Sequence, residues 1–284
     1  MKIIRTVAEL RQWSRSQRCG NGSDLPVALV PSMGALHAGH ASLIRAAAAA
    51  CPGRVAVSIF VNPTQFGPNE DYARYPRTFD ADCALAEREG ATVIFAPAVE
   101  EMYPAGAATF VDVEGLSNRL DGKSRPGHFR GVATVVAKLL IAAEPDIAFF
   151  GQKDAAQVAV LGRVVADLRL ATKLVVCSIV READGLALSS RNAYLSSEER
   201  QRALVLSRAI RRVEAVVSGG ERKADAVLAA AQAVFAEEPE VRMDYMEMVD
   251  WETLLPVASA APGSLFAVAA WVGNTRLIDN TIIA

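Results

Sequence analysis

The chain has 284 residues, 51% of them hydrophobic and 22% charged, enough apolar material for a sizeable core in two compact units, which excludes a disordered chain. Thirty basic residues against 32 acidic ones leave a formal net charge of -2, so the balance favours neither nucleic acid nor an acidic membrane as partner. Cys19, Cys51, Cys83 and Cys177 form no CxxC pair, residues 1–13 hold no apolar core of a secretory signal, and no run of about 18 apolar residues suits a bilayer, so a cytoplasmic protein is expected.

From residue 27 to 167, short apolar runs alternate with helix-like stretches, a pattern that predicts parallel strands with helical crossovers. The first strand is expected over 27–30, ended by Pro31, with an alanine-rich helix at 41–50 and a second strand over 55–61 ended by Asn62-Pro63. Residues 91–96 and 147–150 read as further buried strands, and 132–142 and 155–167 as helices. Beyond about residue 180 come an Arg/Glu-rich amphipathic helix at 197–217, Gly219-Gly220 and a second helix at 224–236. Strands return at 243–249, 265–272 and 275–278, the last two joined by a tight Gly273-Asn274 turn. The fold class is therefore α/β: a Rossmann-like parallel-sheet domain over 1–179 and a smaller α+β domain over 180–284.

Two of the three histidines fall in Met33-Gly34-Ala35-Leu36-His37-Ala38-Gly39-His40, between the first strand and the first long helix. In a parallel α/β domain that is the carboxyl end of a strand, and the helix behind it offers unpaired N–H groups and a positive dipole end, which favour phosphate. Core packing is the ordinary reading of a lone histidine. Zinc ligation is another, but no third histidine or well-spaced cysteine joins this pair and no glutamate lies between.

A second polar cluster, Asn62-Pro63-Thr64-Gln65-Phe66-Gly67, follows the next strand; its amides suit hydroxyl and carboxylate recognition, while a capped Asn-Pro turn would explain it structurally. A third, Gly151-Gln152-Lys153-Asp154, passes from strand to helix with Lys153 placed to neutralise phosphate, or merely as a solvated helix start capped by Asp154. In a fourth, Leu188-Ser189-Ser190-Arg191-Asn192, two hydroxyls and a guanidinium could close on phosphates, or a serine could simply cap the helix behind. Gly127-His128-Phe129-Arg130-Gly131 reads as a polar loop entering a helix at Val132 and has no chemical role assignable from sequence.

Together with Thr275-Arg276-Leu277-Ile278-Asp279-Asn280, these clusters resemble, in order and over nearly the whole chain, the pantothenate synthetase (pantoate–β-alanine ligase) family of HxGH nucleotidylyl transferases. HxGH alone would indicate only the wider group, in which a cytidylyl or adenylyl transferase that stops after nucleotide transfer is the main rival; a nucleotide-binding regulatory module is another.

The resemblance implies ATP-dependent joining of pantoate to β-alanine through pantoyl adenylate, with magnesium, in a cytoplasmic homodimer whose 1–179 domain binds nucleotide and pantoate and whose 180–284 domain acts as a lid. It implies that Met33, Gly34, Ala35, Leu36, His37, Ala38, Gly39 and His40 hold ATP, with His40 the proton donor, His37 beside it and Lys153 completing the catalytic set. Gly151, Gln152, Lys153, Asp154, Val180, Leu188, Ser189, Ser190 and Arg191 would also contact ATP. Gln65 and Gln157 would hold pantoate, and Gln65 would border β-alanine. The chain departs from the family pattern at Gln152, where glutamate is usual, and at Ala155-Ala156, where Tyr-Gln is usual.

Overall fold

The computed structural model describes residues 1–18, 26–68, 70 and 72–284; Cys19 lies outside the described residues. The chain forms two compact units, the first comprising Met1–Asn118, Arg125–Gly151 and Val160–Cys177, the second Arg119–Ser124, Gln152–Ala159 and Ser178–Ala284.

In the first unit, β1 (Lys2–Ile4), β2 (Ala28–Ser32), β3 (Val55–Ile59), β4 (Val93–Phe95), β5 (Ile147–Gly151) and β6 (Lys173–Cys177) form one sheet in the order β1-β4-β3-β2-β5-β6. Every pairing is parallel. The helices in chain order are α1 (Val7–Arg18), α2 (Ala38–Ala50), α3 (Phe79–Arg88), α4 (Val99–Met102), α5 (Asp121–Ser124), α6 (His128–Ala143) and α7 (Ala155–Asp167), with α5 and the first turn of α7 in the second unit. The central strands are buried on both faces, which is why they read as continuous apolar runs. Val30, Ile44, Val57, Ile94 and Phe149 share one core; burying each such side chain contributes roughly 1.5–3 kcal/mol.

In the second unit, β7 (Val241–Asp250), β8 (Ser264–Val272) and β9 (Thr275–Ile282) form an antiparallel sheet in that order. The positive φ at the β8–β9 turn falls on Gly273, which has no Cβ to oppose it. Helices α8 (Ser197–Ser218) and α9 (Ala224–Phe235) share a core with this sheet through Leu206, Ile210, Val213, Phe266 and Val268. A capping box starts α8: Ser196 Oγ accepts from Glu199 N and Glu199 Oε2 accepts from Ser196 N. The segment around α5 is held in this unit by Arg276, which bridges Asp121 at 2.7 Å and Asp244 at 2.8 Å.

Several elements differ from the sequence expectation; β3, for instance, stops at Ile59 and not at 61, and β9 runs on to Ile282. β2 continues through Pro31 to Ser32, because β5 pairs only with Ala28 and Leu29 and the missing proline N–H interrupts no ladder on that side. Helix α6 begins at His128 and not at Val132; Gly127, with φ +83°, is its cap, so the polar run 128–131 is its first turn. Strands β1 and β6, absent from the expectation, lie at the sheet edges; β1 is only three residues long with two of them exposed, whereas β6 carries the apolar run Leu174-Val175-Val176-Cys177, which sequence reasoning overlooks.

Candidate active site

Strand β2 lies between β3 and β5, which come later in the chain and attach on opposite sides. Such a switch leaves a crevice at the carboxyl ends of the strands, where α/β proteins bind ligands. The loop from Met33 leaves β2 at that edge, and Gly151 is the last residue of β5. Gly34 has φ +86° and a Cβ there would lie 3.0 Å from Asp82 Oδ2 and 3.2 Å from Ile59, so only glycine fits without displacement. Asp82, buried on α3, accepts from Ala35 N at 2.9 Å, Leu36 N at 2.8 Å and Thr78 Oγ1 at 3.0 Å. It fixes the backbone that leads into the histidines.

His37 caps α2, its Nδ1 accepting from Gly39 N at 3.1 Å, while His40 Nδ1 accepts from His37 N at 3.3 Å. Since both Nδ1 atoms are acceptors, each ring carries its proton on Nε2. The ring centroids are 4.2 Å apart. The sequence places two imidazoles near a helix start; the fold makes them matched donors at the positive end of its dipole.

Gln65 ends the 3-10 turn Pro63–Gln65, and Asn62 caps it by accepting from Thr64 N at 3.3 Å. Asn62 Nδ2 donates to Gln65 Oε1 at 3.0 Å and to Gly131 O at 3.2 Å, and Gln65 Nε2 donates to Met33 Sδ at 2.9 Å. The Tyr103 hydroxyl donates to Asn62 Oδ1 at 2.8 Å; burial pushes its pKa above the ordinary value, so it stays a neutral donor. The main chain of Gln65 is held as well: His128 Nδ1 lies 2.8 Å from its oxygen, and Arg125 lies 2.9 Å from His128 Nε2 while ion-paired to Glu70 at 2.6 Å. Burial raises the Glu70 pKa, but the Arg125 guanidinium outweighs it and the net shift is downward.

In the second unit, Lys153 lies on the 3-10 turn Gln152–Asp154, its Nζ 3.5 Å from Asp154 Oδ1, and Gln157 lies on the first turn of α7. Ala155 and Ala156, two of the three positions where the resemblance implies other residues, are buried. Leu188 N donates to Val180 O at 2.9 Å, so these two expected nucleotide contacts are neighbours. Ser189 caps the turn Ser190–Tyr194 by accepting from Arg191 N at 3.2 Å.

The loop from Met33 to His40 thus comes together with Gln65 in the first unit, and Lys153, Gln157, Val180 and the segment from Leu188 to Arg191 belong to the second. Sequence reasoning overlooks Asp82, which carries no motif signal on α3, and leaves His128, Asp279 and Asn280 without roles although each stands in a conspicuous polar motif.

The model for the pantoate-beta-alanine ligase family matches residues 2–282. The chain is 59% identical to a pantothenate synthetase of Acidobacterium capsulatum over 291 aligned residues, covering 100% of this chain and 97% of the relative. It is 55% identical to a pantothenate synthetase of Koribacter versatilis, covering 100% and 96%. Among solved structures, a pantothenate synthetase from Thermus thermophilus superposes with a TM-score of 0.92 at 45% identity, covering 100% of this chain and 99% of the other. A pantoate-beta-alanine ligase from Francisella tularensis, complexed with beta-gamma ATP and beta-alanine, superposes with a TM-score of 0.79 at 32% identity, covering 99% and 97%. With its six-stranded parallel sheet, its histidine-capped helix and a family match over nearly its entire length, the chain belongs to the pantoate–β-alanine ligase family.

Proposed function

We propose that the chain joins pantoate to β-alanine in two steps at the carboxyl edge of β2. A pantoate carboxylate oxygen attacks the α-phosphorus of ATP, and the bond to pyrophosphate breaks, giving pantoyl adenylate. The β-alanine amine then attacks the acyl carbon and AMP leaves, giving pantothenate. The observation that carries this reading is the imidazole pair at the start of α2, two Nε2–H donors with ring centroids 4.2 Å apart.

Both reactants of the first step are anions, so the site must screen charge and align an oxygen with phosphorus. His40 and His37 donate to phosphate oxygens as charge moves onto pyrophosphate, with His40 the proton donor, and Lys153 supplies a positive charge. Met33, Gly34, Ala35, Leu36, Ala38 and Gly39 lie along the triphosphate, where the helix dipole favours anions. Gly151, Gln152, Asp154, Val180, Leu188, Ser189, Ser190 and Arg191 complete the nucleotide contacts. Gln65 and Gln157 hold pantoate by neutral hydrogen bonds, and Gln65 borders β-alanine; alignment of this kind supplies roughly 7–11 kcal/mol in well-oriented systems.

Magnesium arriving with ATP would add charge screening at the phosphates, beside Lys153 and the start of α2. Residues 1–179 as the ligand-binding domain, 180–284 as a lid, and a homodimer complete the proposal. A cytoplasmic location agrees with the free thiols of Cys51, Cys83 and Cys177.

The test is a substrate panel read by mass spectrometry. Pantothenate and AMP are expected only when ATP, pantoate and β-alanine are all present. Nucleotide transfer to a phosphate-bearing acceptor, with no dependence on β-alanine, would point to the other transferases of the HxGH group.

A further inference from the structure

We propose that Asn280 is a positioning residue for Lys153, clamping the backbone from which that side chain projects. The inference rests on the reading that Lys153 meets ATP. Asn280 Nδ2 donates to two consecutive main-chain oxygens, Gln152 O at 3.0 Å and Lys153 O at 2.9 Å, and Asn280 Oδ1 accepts from Gln152 Nε2 at 3.2 Å. One amide therefore holds the peptide units on both sides of the Lys153 Cα.

The anchor is itself rigid. Asn280 is 3% exposed on β9 and is paired with Ala267 on β8. Its own N–H donates to Asp279 Oδ1 at 2.8 Å, and the buried Asp279 carboxylate takes both Arg181 nitrogens, at 2.7 and 2.9 Å. Asparagine is a poor strand former, and a buried amide is tolerated only where its hydrogen bonds are met. A valine or isoleucine would serve the sheet better, so the residue type answers to the turn it holds. A lysine side chain has four rotatable bonds, and fixing its base is the means a protein has of narrowing the region its ammonium samples.

The test compares pyrophosphate release from ATP and pantoate in the wild-type enzyme, Asn280→Ala, Lys153→Ala and the double variant, with pantoate KM measured for each. Asn280→Ala is expected to slow release about 10- to 100-fold, the scale of a slightly misplaced reacting group, while pantoate KM stays within about twofold. In the double variant the loss is expected to stay within about threefold of Lys153→Ala alone, because residues acting as one unit are non-additive. Calorimetric binding of β,γ-methylene ATP supplies the same four-way comparison if turnover becomes too slow to measure. Losses that multiply, or an Asn280→Ala enzyme at wild-type speed, would overturn the proposal. A fully active Lys153→Ala enzyme would instead remove the lysine from the ATP reaction and take the inference with it. Should Asn280→Ala melt far below the wild type, Asn280→Ser, which keeps one short donor, is subjected to the same comparison with the same outcomes.

Discussion

His128 donates its Nδ1–H to the main-chain oxygen of Gln65 at 2.8 Å, and Arg125 sets that tautomer, because a guanidinium only donates and so makes Nε2 the acceptor. The third histidine is thus protonated on the nitrogen opposite to that used by His37 and His40, and it acts on the backbone of the residue proposed to grip pantoate. Replacing His128 by alanine leaves the Gln65 carbonyl without this partner, a loss on the order of 1–2 kcal/mol. The pantoate KM is expected to rise about tenfold with ATP KM little changed. Steady-state titrations of each substrate check this, and equal effects on both substrates would make the contact a general structural one.

The Gln65 side chain is the direct contact in the proposed site. Gln65→Ala should raise pantoate KM by more than His128→Ala does, on the order of 10- to 100-fold, since a hydrogen-bond partner of the substrate itself disappears. An unaltered dependence on pantoate would remove Gln65 from its recognition.

For His40→Ala, pyrophosphate release is expected to fall by about 10²-fold or more, the scale of a lost transition-state donor. The variant also removes the acceptor for the His37 N–H, so circular dichroism should accompany the kinetics. Nearly unchanged turnover in a folded variant would show that His40 takes no part in adenylate formation.

Gly131 packs its backbone against the Pro63–Gln65 turn so closely that a Cβ would lie 2.3 Å from Thr64 O and 2.7 Å from the Gln65 Cα. Backbone on both sides leaves nothing flexible to yield, so Gly131→Ala is expected to cost about 1–3 kcal/mol and to weaken pantoate use as well. Thermal melting and a pantoate titration measure the two effects; a variant with wild-type melting and kinetics would contradict the packing.

Glu70 gives a pH-dependent contribution to stability. Its pKa is lowered in the folded protein, burial being outweighed by Arg125, so its contribution is fully present above the ordinary carboxylate value and is lost as pH falls through the lowered one. Glu70→Gln should therefore lower the melting temperature near neutrality and approach the wild type only in acid, well below about pH 4. A difference that stays constant from pH 7 to pH 3 would contradict this assignment.

Much of the architecture was legible in the chain itself. The continuous apolar runs at β2, β3 and β5 betray strands buried on both faces, and Gly273-Asn274 marks the β8–β9 hairpin, because periodicity and turn chemistry are local properties. The histidine pair and Gln65 stood out because polar residues clustered after buried strands mark the ligand-binding edge of a parallel sheet. The edge strand β1 was not legible, being three residues long with two of them exposed, whereas β6 was overlooked although Leu174-Val175-Val176-Cys177 is a continuous apolar run.

Residue order alone determined the fold class and the family, and marked the segments proposed to carry the chemistry. Only the folded chain decided which ring nitrogen of each histidine bears the proton, that Asp82 secures the loop before His37, and that Asn280 grips the turn of Lys153 from 127 positions away. Such partners are chosen by distance in space, and a hydrogen bond between residues far apart in the chain leaves no periodic trace in the order of amino acids.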